Sequence, residues 1–406
     1  MSMRVIAVFT GNRAEYGLQF PILRAIDAHP DLEYRLIVSG AHLDKNFGRT
    51  LSEIERDGFK VHAEVKIDMG EDTLYGTAQA IGTGVCSMGK ALAEIKPDML
   101  VVYADRFEGF AAVIAGTQMN VPTAHIEGGD LTEGGALDDS VRHAMSKLAH
   151  LHFTTNQQAS NRVLGMGEEA WRVHTVGFPA IDLIQDGLYG KPEELAAKYN
   201  LDLKRPVIVC TQHSVTTQFD QAPQQQEPIL AGLRKLAESG VQVLITYPNN
   251  DAGGRRLITQ LEEFMRVPHP NLQMHPSLGR SNYHGVLALA RNPAYRVACV
   301  GNSSSGIKET PAFGCPAVNI GSRQDGRLRA SNVIDSPYDT EALVQAVQRC
   351  LFDEAFRTQC RAVENPYGIG DAGKKIAQVL AKVPLDGDLI RKRMTLAGEA
   401  RDGWFR

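Results

Sequence analysis

The chain has 406 residues, of which 43% are hydrophobic and 22% charged, with 43 Lys and Arg set against 47 Asp and Glu for a formal net charge of −4. A chain of this size and composition is ordinary for a globular protein of two domains or one large one; it buries ample core without staples and carries no bulk basic footprint for nucleic acid or anionic lipid. The six cysteines are dispersed without a CxxC pair, the first residues read as a short strand and not a leader, and no apolar run approaches the roughly 20 residues of a membrane span, so a cytoplasmic protein with free thiols and no membrane partner is expected.

A first strand is predicted over 5–9. It ends in Thr10-Gly11-Asn12-Arg13, after which Leu18, Ile22, Leu23 and Ile26 keep helical spacing. A glycine turn leading into a helix start is a natural anion site, and Arg13 adds a fixed positive charge. A second strand over 34–39 ends at Gly40-Ala41-His42, and 59–94 reads as a strand, a loop and a helix. Within that segment Gly84 to Ala91 approaches a phosphate-binding P-loop, but Ala91 offers no hydroxyl for Mg²⁺ and no clear strand precedes it; a helix with small packing residues is expected instead. A strand over 99–103, an Ala-rich helix over 107–119 and a strand over 121–126 then form a βαβ unit.

Asp105, Glu127, Asp130, Asp138 and Asp139 fall just past the carboxyl ends of these strands, the edge at which open α/β sheets place their ligands. One such carboxylate often only caps a helix. Several at the ends of adjacent elements suggest acid/base work, because like charges held together raise one another's pKa and leave an acid and a base near neutral pH. Arg106 and Arg142 can offset that repulsion. Short strands over 151–155 and 173–176 close this half at Gly177-Phe178-Pro179, with a domain boundary near 178–205.

The second half repeats the alternation. A strand over 206–211 ends in Gln212-His213-Ser214, a glutamine-rich surface loop covers 218–226, and a helix covers 229–239. Strands over 241–247, 296–300 and 316–320 end respectively in Pro248-Asn249-Asn250-Asp251-Ala252-Gly253-Gly254, in Gly301-Asn302-Ser303-Ser304-Ser305-Gly306 and in Gly321-Ser322-Arg323-Gln324. Helices over 307–313, 340–352 and 372–383 complete it. The Gly301–Gly306 turn, with small side chains and hydroxyls before a helix, suits a diphosphate, with Glu309 as a ribose acceptor. His213 sits among hydroxyls, where a lone histidine serves structure as readily as chemistry. His125, His143, His150 and His152 follow no zinc pattern; no structural zinc is expected, and His150 and His152 should pack or cap. Two consecutive sets of alternating strands and helices predict an α/β protein of two Rossmann-like doubly wound domains whose loops face a cleft. The N-terminal domain, 1–180, carries the acids and is joined by the C-terminal helix, about 375–406; a nucleotide-binding domain covers 181–374.

These motifs resemble the hydrolysing UDP-N-acetylglucosamine 2-epimerases of sialic and legionaminic acid synthesis. The likeness runs from Gly11-Asn12-Arg13-Ala14-Glu15-Tyr16 through Gly40-Ala41-His42-Leu43, Asp105-Arg106-Phe107, His125-Ile126-Glu127-Gly128-Gly129, Asp138 to His143, Gln212-His213-Ser214-Val215-Thr216-Thr217 and Pro248 to Gly253, as far as Gly301 to Gly306. The non-hydrolysing branch carries Gly-Thr-Arg-Pro-Glu in the first loop and Thr-Glu-Arg-Pro late in the second domain; this chain has Gly11-Asn12-Arg13-Ala14-Glu15 and Gly321-Ser322-Arg323-Gln324-Asp325-Gly326-Arg327. It departs from the hydrolysing pattern where Ala104 replaces Gly before Asp105, where Asp130 replaces Glu after Gly129, and where Glu133-Gly134-Gly135 lengthens the loop before Asp138. The resemblance implies a GT-B-like fold and a cytoplasmic homodimer or homotetramer that needs no cofactor or metal. It implies conversion of UDP-GlcNAc, or a related nucleotide-linked 2-acetamido sugar, to a free ManNAc-type sugar and UDP through a glycal. Asp105, Glu127 and Asp138 are the implied acid/base groups, and His213 protonates or orients the leaving phosphate. Arg13, Asn249, Ser303, Ser304, Glu309 and Arg323 would bind UDP, while His42, Asp139, Arg142 and His143 shape the sugar pocket. A 2,4-diacetamido substrate, the non-hydrolysing reaction and a GT-B glycosyltransferase are the alternatives.

Overall fold

Met99–Tyr103 is apolar and buried at every position, as expected of a strand covered by helices on both faces of a parallel sheet. The computed structural model describes residues 3–43, 51–67, 74–132, 137–249 and 253–396, and divides into two units. The first comprises Met1–Asp130, Leu137–Asp182 and Gly370–Arg406. It is built on strands β1 Arg4–Thr10, β2 Leu32–Ser39, β3 Val61–Val65, β4 Met99–Tyr103, β5 Thr123–Ile126, β6 Leu151–Thr154 and β7 Val173–Thr175. Their order is β3-β2-β1-β4-β5-β6-β7, with every pairing parallel. Side chains alternate across the sheet: Ile6 and Val8 enter the core on one face with Ile22, Leu23 and Ile376, and Ala7 and Phe9 enter the other with Met88, Leu92 and Val113.

Helix Arg13–Asp27 starts where Asn12 caps it, its side chain accepting the Glu15 N–H. Gly84 to Ala91 lies inside helix Leu74–Ile95, and a Cβ on Gly84 would come within 2.9 Å of the Ala111 Cβ on helix Phe107–Gln118. The glycine serves the close approach of two helices, which is the packing role expected of this segment. His150 and His152 also pack. His150 Nδ1 accepts the Thr123 N–H at 3.0 Å, and His152 joins Lys147 and Lys392 around the buried Glu168 carboxylate at 2.9, 2.6 and 2.8 Å. Burial alone would raise Glu168, but these three donors bring it down to about 2. Arg172, fully buried, donates to the carbonyls of Leu389 at 2.7 Å and Asp388 at 2.6 Å, so the last described turns of the chain are held on this unit by charge-assisted hydrogen bonds.

The second unit comprises Leu131–Ala136 and Leu183–Ile369. Its strands are β8 Val207–Thr211, β9 Gln242–Thr246, β10 Leu272–His275, β11 Val297–Gly301, β12 Ala317–Ile320 and β13 Val333–Ser336, in the order β10-β9-β8-β11-β12-β13 and all parallel. The expected surface loop over 218–226 is replaced by a 3-10 turn, Thr216–Gln221, and by the start of helix Ala222–Glu238. Pro223 sits in the first helical turn, where its missing N–H costs nothing, and Gln226 is buried with its amide donating to the Leu257 carbonyl at 3.2 Å. Glutamines that read as solvated loop are in part helix core. Helices Gly254–Met265 and Gly279–Ala288 and strands β10 and β13 were not legible, because the edge strands are short and only partly apolar. Among the described residues no helix is long and apolar enough to cross a membrane.

In each sheet the strand order reverses once, between β1 and β4 and between β8 and β11. Such switch points open a crevice at the carboxyl ends of the strands. The segments after β1 and β4 carry Arg13 and Asp105, and those after β8 and β11 carry His213, Ser303 and Ser304.

Candidate active site

In the first unit the turn after β4 is shaped by a histidine. Ala104 takes φ 56°, and its carbonyl lies 2.6 Å from His125 Nε2; His125 Nδ1 lies 2.9 Å from Ser146 Oγ. Burial pushes His125 down to about 4, so the ring is neutral, with Nε2–H donating to Ala104 and Nδ1 accepting from the serine hydroxyl. That hydrogen bond orients the turn on which Asp105 sits. The Ala104 N–H reaches across to the Ile126 carbonyl at 3.0 Å, and Tyr103 pairs with Ile126 in register, so Asp105 and Glu127 follow the ends of adjacent strands. Glu127 is buried, with φ 66°. Two consecutive strand ends finished by non-glycine residues in the left-handed region are a local strain of the kind that collects at functional sites.

Helix Leu137–Leu148 supplies the counter-charge. The buried Arg142 guanidinium ion-pairs with Asp105 and, through Nη1, with Asp139 Oδ1 at 3.2 Å. Asp138 stands exposed in the first turn of the same helix. His143 is held below its ordinary value by burial, with Arg142 and Arg162 adding to the effect, and Arg162 in turn donates to the Gly129 carbonyl at 3.1 Å. His42 is buried, with Nε2 3.1 Å from Thr10 Oγ1, and burial pushes it to about 4. Arg13 opens helix Arg13–Asp27; its side chain lies outside the described residues, as do Glu133, Gly134 and Gly135.

In the second unit one asparagine ties the loops together. Asn302 is fully buried; its Oδ1 accepts the His213 N–H at 2.7 Å and its Nδ2 donates to the His213 carbonyl at 2.8 Å. Its own carbonyl accepts from Gln324 at 2.8 Å and from Arg323 Nη1 at 3.3 Å. His213 Nδ1 accepts the Asn249 N–H at 2.9 Å. Burial, with the Arg323 charge, pushes the ring to about 3, so His213 is a neutral imidazole whose remaining proton is on Nε2. Gly301 has φ 116°, and a Cβ there would lie 2.0 Å from the Thr211 carbonyl, so only glycine lets β11 end against β8.

Ser303 and Ser304 precede helix Ser305–Lys308, which breaks at Glu309 before Thr310–Phe313; the expected single helix over 307–313 is two short turns. The Glu309 carboxylate accepts from His284 Nε2 at 2.8 Å and from Ser305 Oγ at 3.1 Å. Burial acts to raise it, but the His284 hydrogen bond and charge and the Ser305 hydroxyl bring it below its ordinary value. Asn250, Asp251 and Ala252 lie outside the described residues.

A family model described as UDP-N-acetylglucosamine 2-epimerase matches residues 24–381. The chain belongs to the UDP-N-acetylglucosamine 2-epimerase family. It is 33% identical over 347 residues to a UDP-N-acetylglucosamine 2-epimerase of Neisseria meningitidis, covering 86% of this chain and 87% of that protein. It is 29% identical over 390 residues to a UDP-N,N'-diacetylbacillosamine 2-epimerase (hydrolyzing) of Legionella pneumophila, covering 96% and 99%. A solved structure of UDP-GlcNAc 2-epimerase from Neisseria meningitidis bound to UDP-GlcNAc superimposes with a TM-score of 0.78 at 19% identity, covering 94% of this chain and 100% of that one; the α/β, GT-B-like fold is therefore shared with that structure.

Within this epimerase family's pattern, Ala104 stands where glycine was expected. The left-handed region costs an alanine roughly 1–2 kcal/mol, of which glycine's greater unfolded-state freedom returns about 0.5–1 kcal/mol. Ala104→Gly is therefore expected to raise the thermal midpoint by about 2 °C, read by calorimetry. Sequence reasoning missed Asn302 as the hub of the second unit and the pair Glu15 and Glu108 in the first. Asn302 lies inside a motif whose serines carry the phosphate signal, and Glu15 and Glu108 each lie two residues beyond an arginine, Arg13 and Arg106, with nothing in the local pattern to set them apart.

Proposed function

We propose that this epimerase hydrolyses a UDP-linked 2-acetamido sugar with inversion at C2, releasing the free sugar and UDP. The observation that carries the reading is the placement of Asp105 and Glu127 at the ends of adjacent strands beside the β1/β4 switch point, with one carboxylate balanced by Arg142. The C2 proton is not next to a carbonyl. It becomes acidic only as the C1–O bond breaks and positive charge builds on the ring, so the leaving diphosphate must be stabilised while a base takes the proton. The C2–H electron pair becomes the C1=C2 double bond of a glycal and the C1–O pair leaves with UDP. Water then adds its hydroxyl at C1, and a proton arrives at C2 from the opposite face. Two faces call for more than one carboxyl, and Asp105, Glu127 and Asp138 are the proposed acid/base groups.

In the second unit, His213 Nε2–H suits donation to a phosphate oxygen, since its other nitrogen is occupied by Asn249. In this unit Ser303, Ser304 and Arg323 are proposed for the diphosphate and Glu309 for the ribose; in the first unit Arg13 is proposed for the anion, and His42, Asp139, Arg142 and His143 for the sugar. Glu309 is kept ionised by His284, the form in which a carboxylate accepts from a diol.

A 2,4-diacetamido substrate is the second reading. It is supported by the Legionella relative and by a Campylobacter jejuni relative named GDP/UDP-N,N'-diacetylbacillosamine 2-epimerase (hydrolyzing), 32% identical over 336 residues. Incubating the protein separately with UDP-GlcNAc, UDP-diacetamidobacillosamine and their GDP counterparts in D₂O, followed by NMR of the products, decides between them. The expected result is a free amino sugar carrying deuterium at C2. Product that keeps the nucleotide points to the non-hydrolysing reaction, and no turnover of any of the four overturns the proposal.

A further inference from the structure

Two carboxyl groups are buried beneath the first substrate loop, and neither belongs to the acid/base set. The Glu15 side chain turns back under the Gly11–Asn12 turn. Its Oε2 accepts from the Gly11 N–H and from Asn12 Nδ2, each at 3.4 Å, and its Oε1 accepts from Gln19 Nε2 at 2.8 Å. The same Gln19 amide donates to the Phe9 carbonyl at 2.9 Å, so the clamp is anchored to β1. Glu108 lies against the other side of the turn. A Cβ on Gly11 would meet the Glu108 Cβ at 3.2 Å, and one on Gly40 would meet Glu108 Oε1 at 3.0 Å and the Gly11 carbonyl at 2.7 Å. The ends of β1 and β2 and the start of helix Phe107–Gln118 thus converge on these two acids. Arg106 Nε pairs with Glu108 Oε2 at 3.2 Å.

We propose that Glu15 is a positioning residue for the phosphoryl end of the substrate, its uncharged carboxyl group clamping the Gly11–Asn12 turn so that the start of helix Arg13–Asp27 meets the anion without a second negative charge beside Glu108. The inference rests on the reading of this loop as part of the nucleotide-sugar site. Burial, with the neighbouring Glu108, pushes Glu15 up to about 8, so it keeps its proton at neutral pH. Around it stand Glu108 and its partner Arg106, the Tyr103 phenol on β4, which burial and then Glu127 hold well above its ordinary value, and His42, which burial keeps neutral. Of these shifted groups, Glu15 is the one brought into the range between pH 7 and 9. Its ionisation places a second negative charge beside Glu108, only partly offset by Arg106, under a loop that should attract an anion, so affinity falls as pH rises through 8.

The test is calorimetric titration of UDP into wild type, Glu15→Gln and Glu15→Ala between pH 6.5 and 9.5. If only the protonated form binds, the wild-type Kd rises about tenfold from pH 7 to pH 9 relative to that of Glu15→Gln, which cancels the ligand's own titration. Glu15→Gln removes the titration but sets an amide NH2 against one of the donors that the carboxyl accepts from, so it is expected to bind more weakly than wild type at pH 7 yet to show no step near pH 8; Glu15→Ala loses the clamp and binds at least about tenfold more weakly. Folded-state Glu15 holds its proton above its unfolded value, so its stability contribution is complete below about pH 4.5 and lost as pH rises through 8. The melting temperature of Glu15→Gln relative to wild type should therefore be higher at pH 9 than at pH 6. Parallel wild-type and Glu15→Gln affinity profiles overturn the positioning role while leaving the site reading intact. Absence of UDP binding by wild type at every pH overturns the site reading itself. If Glu15→Ala does not fold, the Glu15→Gln profile alone decides.

Discussion

Asp105→Asn and Glu127→Gln each lower turnover by roughly 10²-fold or more, the usual effect of removing a positioned acid or base, while UDP affinity stays within about threefold because the proposed diphosphate donors are untouched. The two residues reach their positions by different means. Asp105 is set by a turn that His125 holds through the Ala104 carbonyl. Glu127 is set by its own left-handed backbone, with its N–H bonded to the Phe153 carbonyl at 2.9 Å. Asp105→Asn weakens the Arg142 ion pair and Glu127→Gln takes the charge off the group facing Tyr103, but both keep an oxygen acceptor and the backbone bonds of the two turns, and Arg142 keeps Asp139, so the fold should survive at a lower thermal midpoint and the main loss should appear in kcat. Steady-state rates with whichever nucleotide sugar is turned over, together with deuterium incorporation at C2, check it. Near-normal rates in both variants would remove these carboxylates from the mechanism.

Arg142→Met is the second large effect, and it falls on stability as well as activity. The guanidinium is buried between Asp105 and Asp139, and the carboxylate of Asp139 is itself almost fully buried. Methionine fills the space of the stem but leaves two carboxylates without their shared counter-charge, a loss of about 3–5 kcal/mol for a buried pair broken on one side. The thermal midpoint should fall by roughly 8–15 °C on that figure, and turnover should fall with it because Asp105 loses the group that orients it. Neutralising the acids as well, in Arg142→Met with Asp105→Asn and Asp139→Asn, should restore much of the stability and none of the activity. A midpoint for Arg142→Met within about 2 °C of wild type would show that the pair contributes little, as exposed pairs do.

Much of the sheet skeleton was legible because a parallel strand buried on both faces leaves an unbroken apolar run, and Met99–Tyr103 is found with the bounds its run predicts. The same holds for helix Thr340–Phe352, whose apolar residues recur at helical spacing and whose start Asp339 caps. The carboxylates were legible for a related reason: polar residues that interrupt such runs fall at strand ends, and in an open α/β sheet the strand ends hold the site. Where apolar content was sparse, as in β10, or where glutamines masked a helix start, as at Ala222, local pattern carried too little signal.

The amino-acid order by itself determined which residues would stand at the strand ends, because alternation of apolar runs and polar turns is a one-dimensional property. Only the tertiary structure decided their states and partners. Arg142 is buried between two aspartates and balances both, a pairing that joins helix Leu137–Leu148 to the turn after β4. His125 could have been a base, yet burial makes it the brace of the Ala104 turn. The carboxyl pushed up to about 8 is Glu15, outside the expected set, because burial strips its water and Glu108 adds its charge from a helix 93 positions away in the chain. Desolvation and charge depend on what lies within a few ångströms in space, and for these residues the neighbours that matter come from other strands and helices.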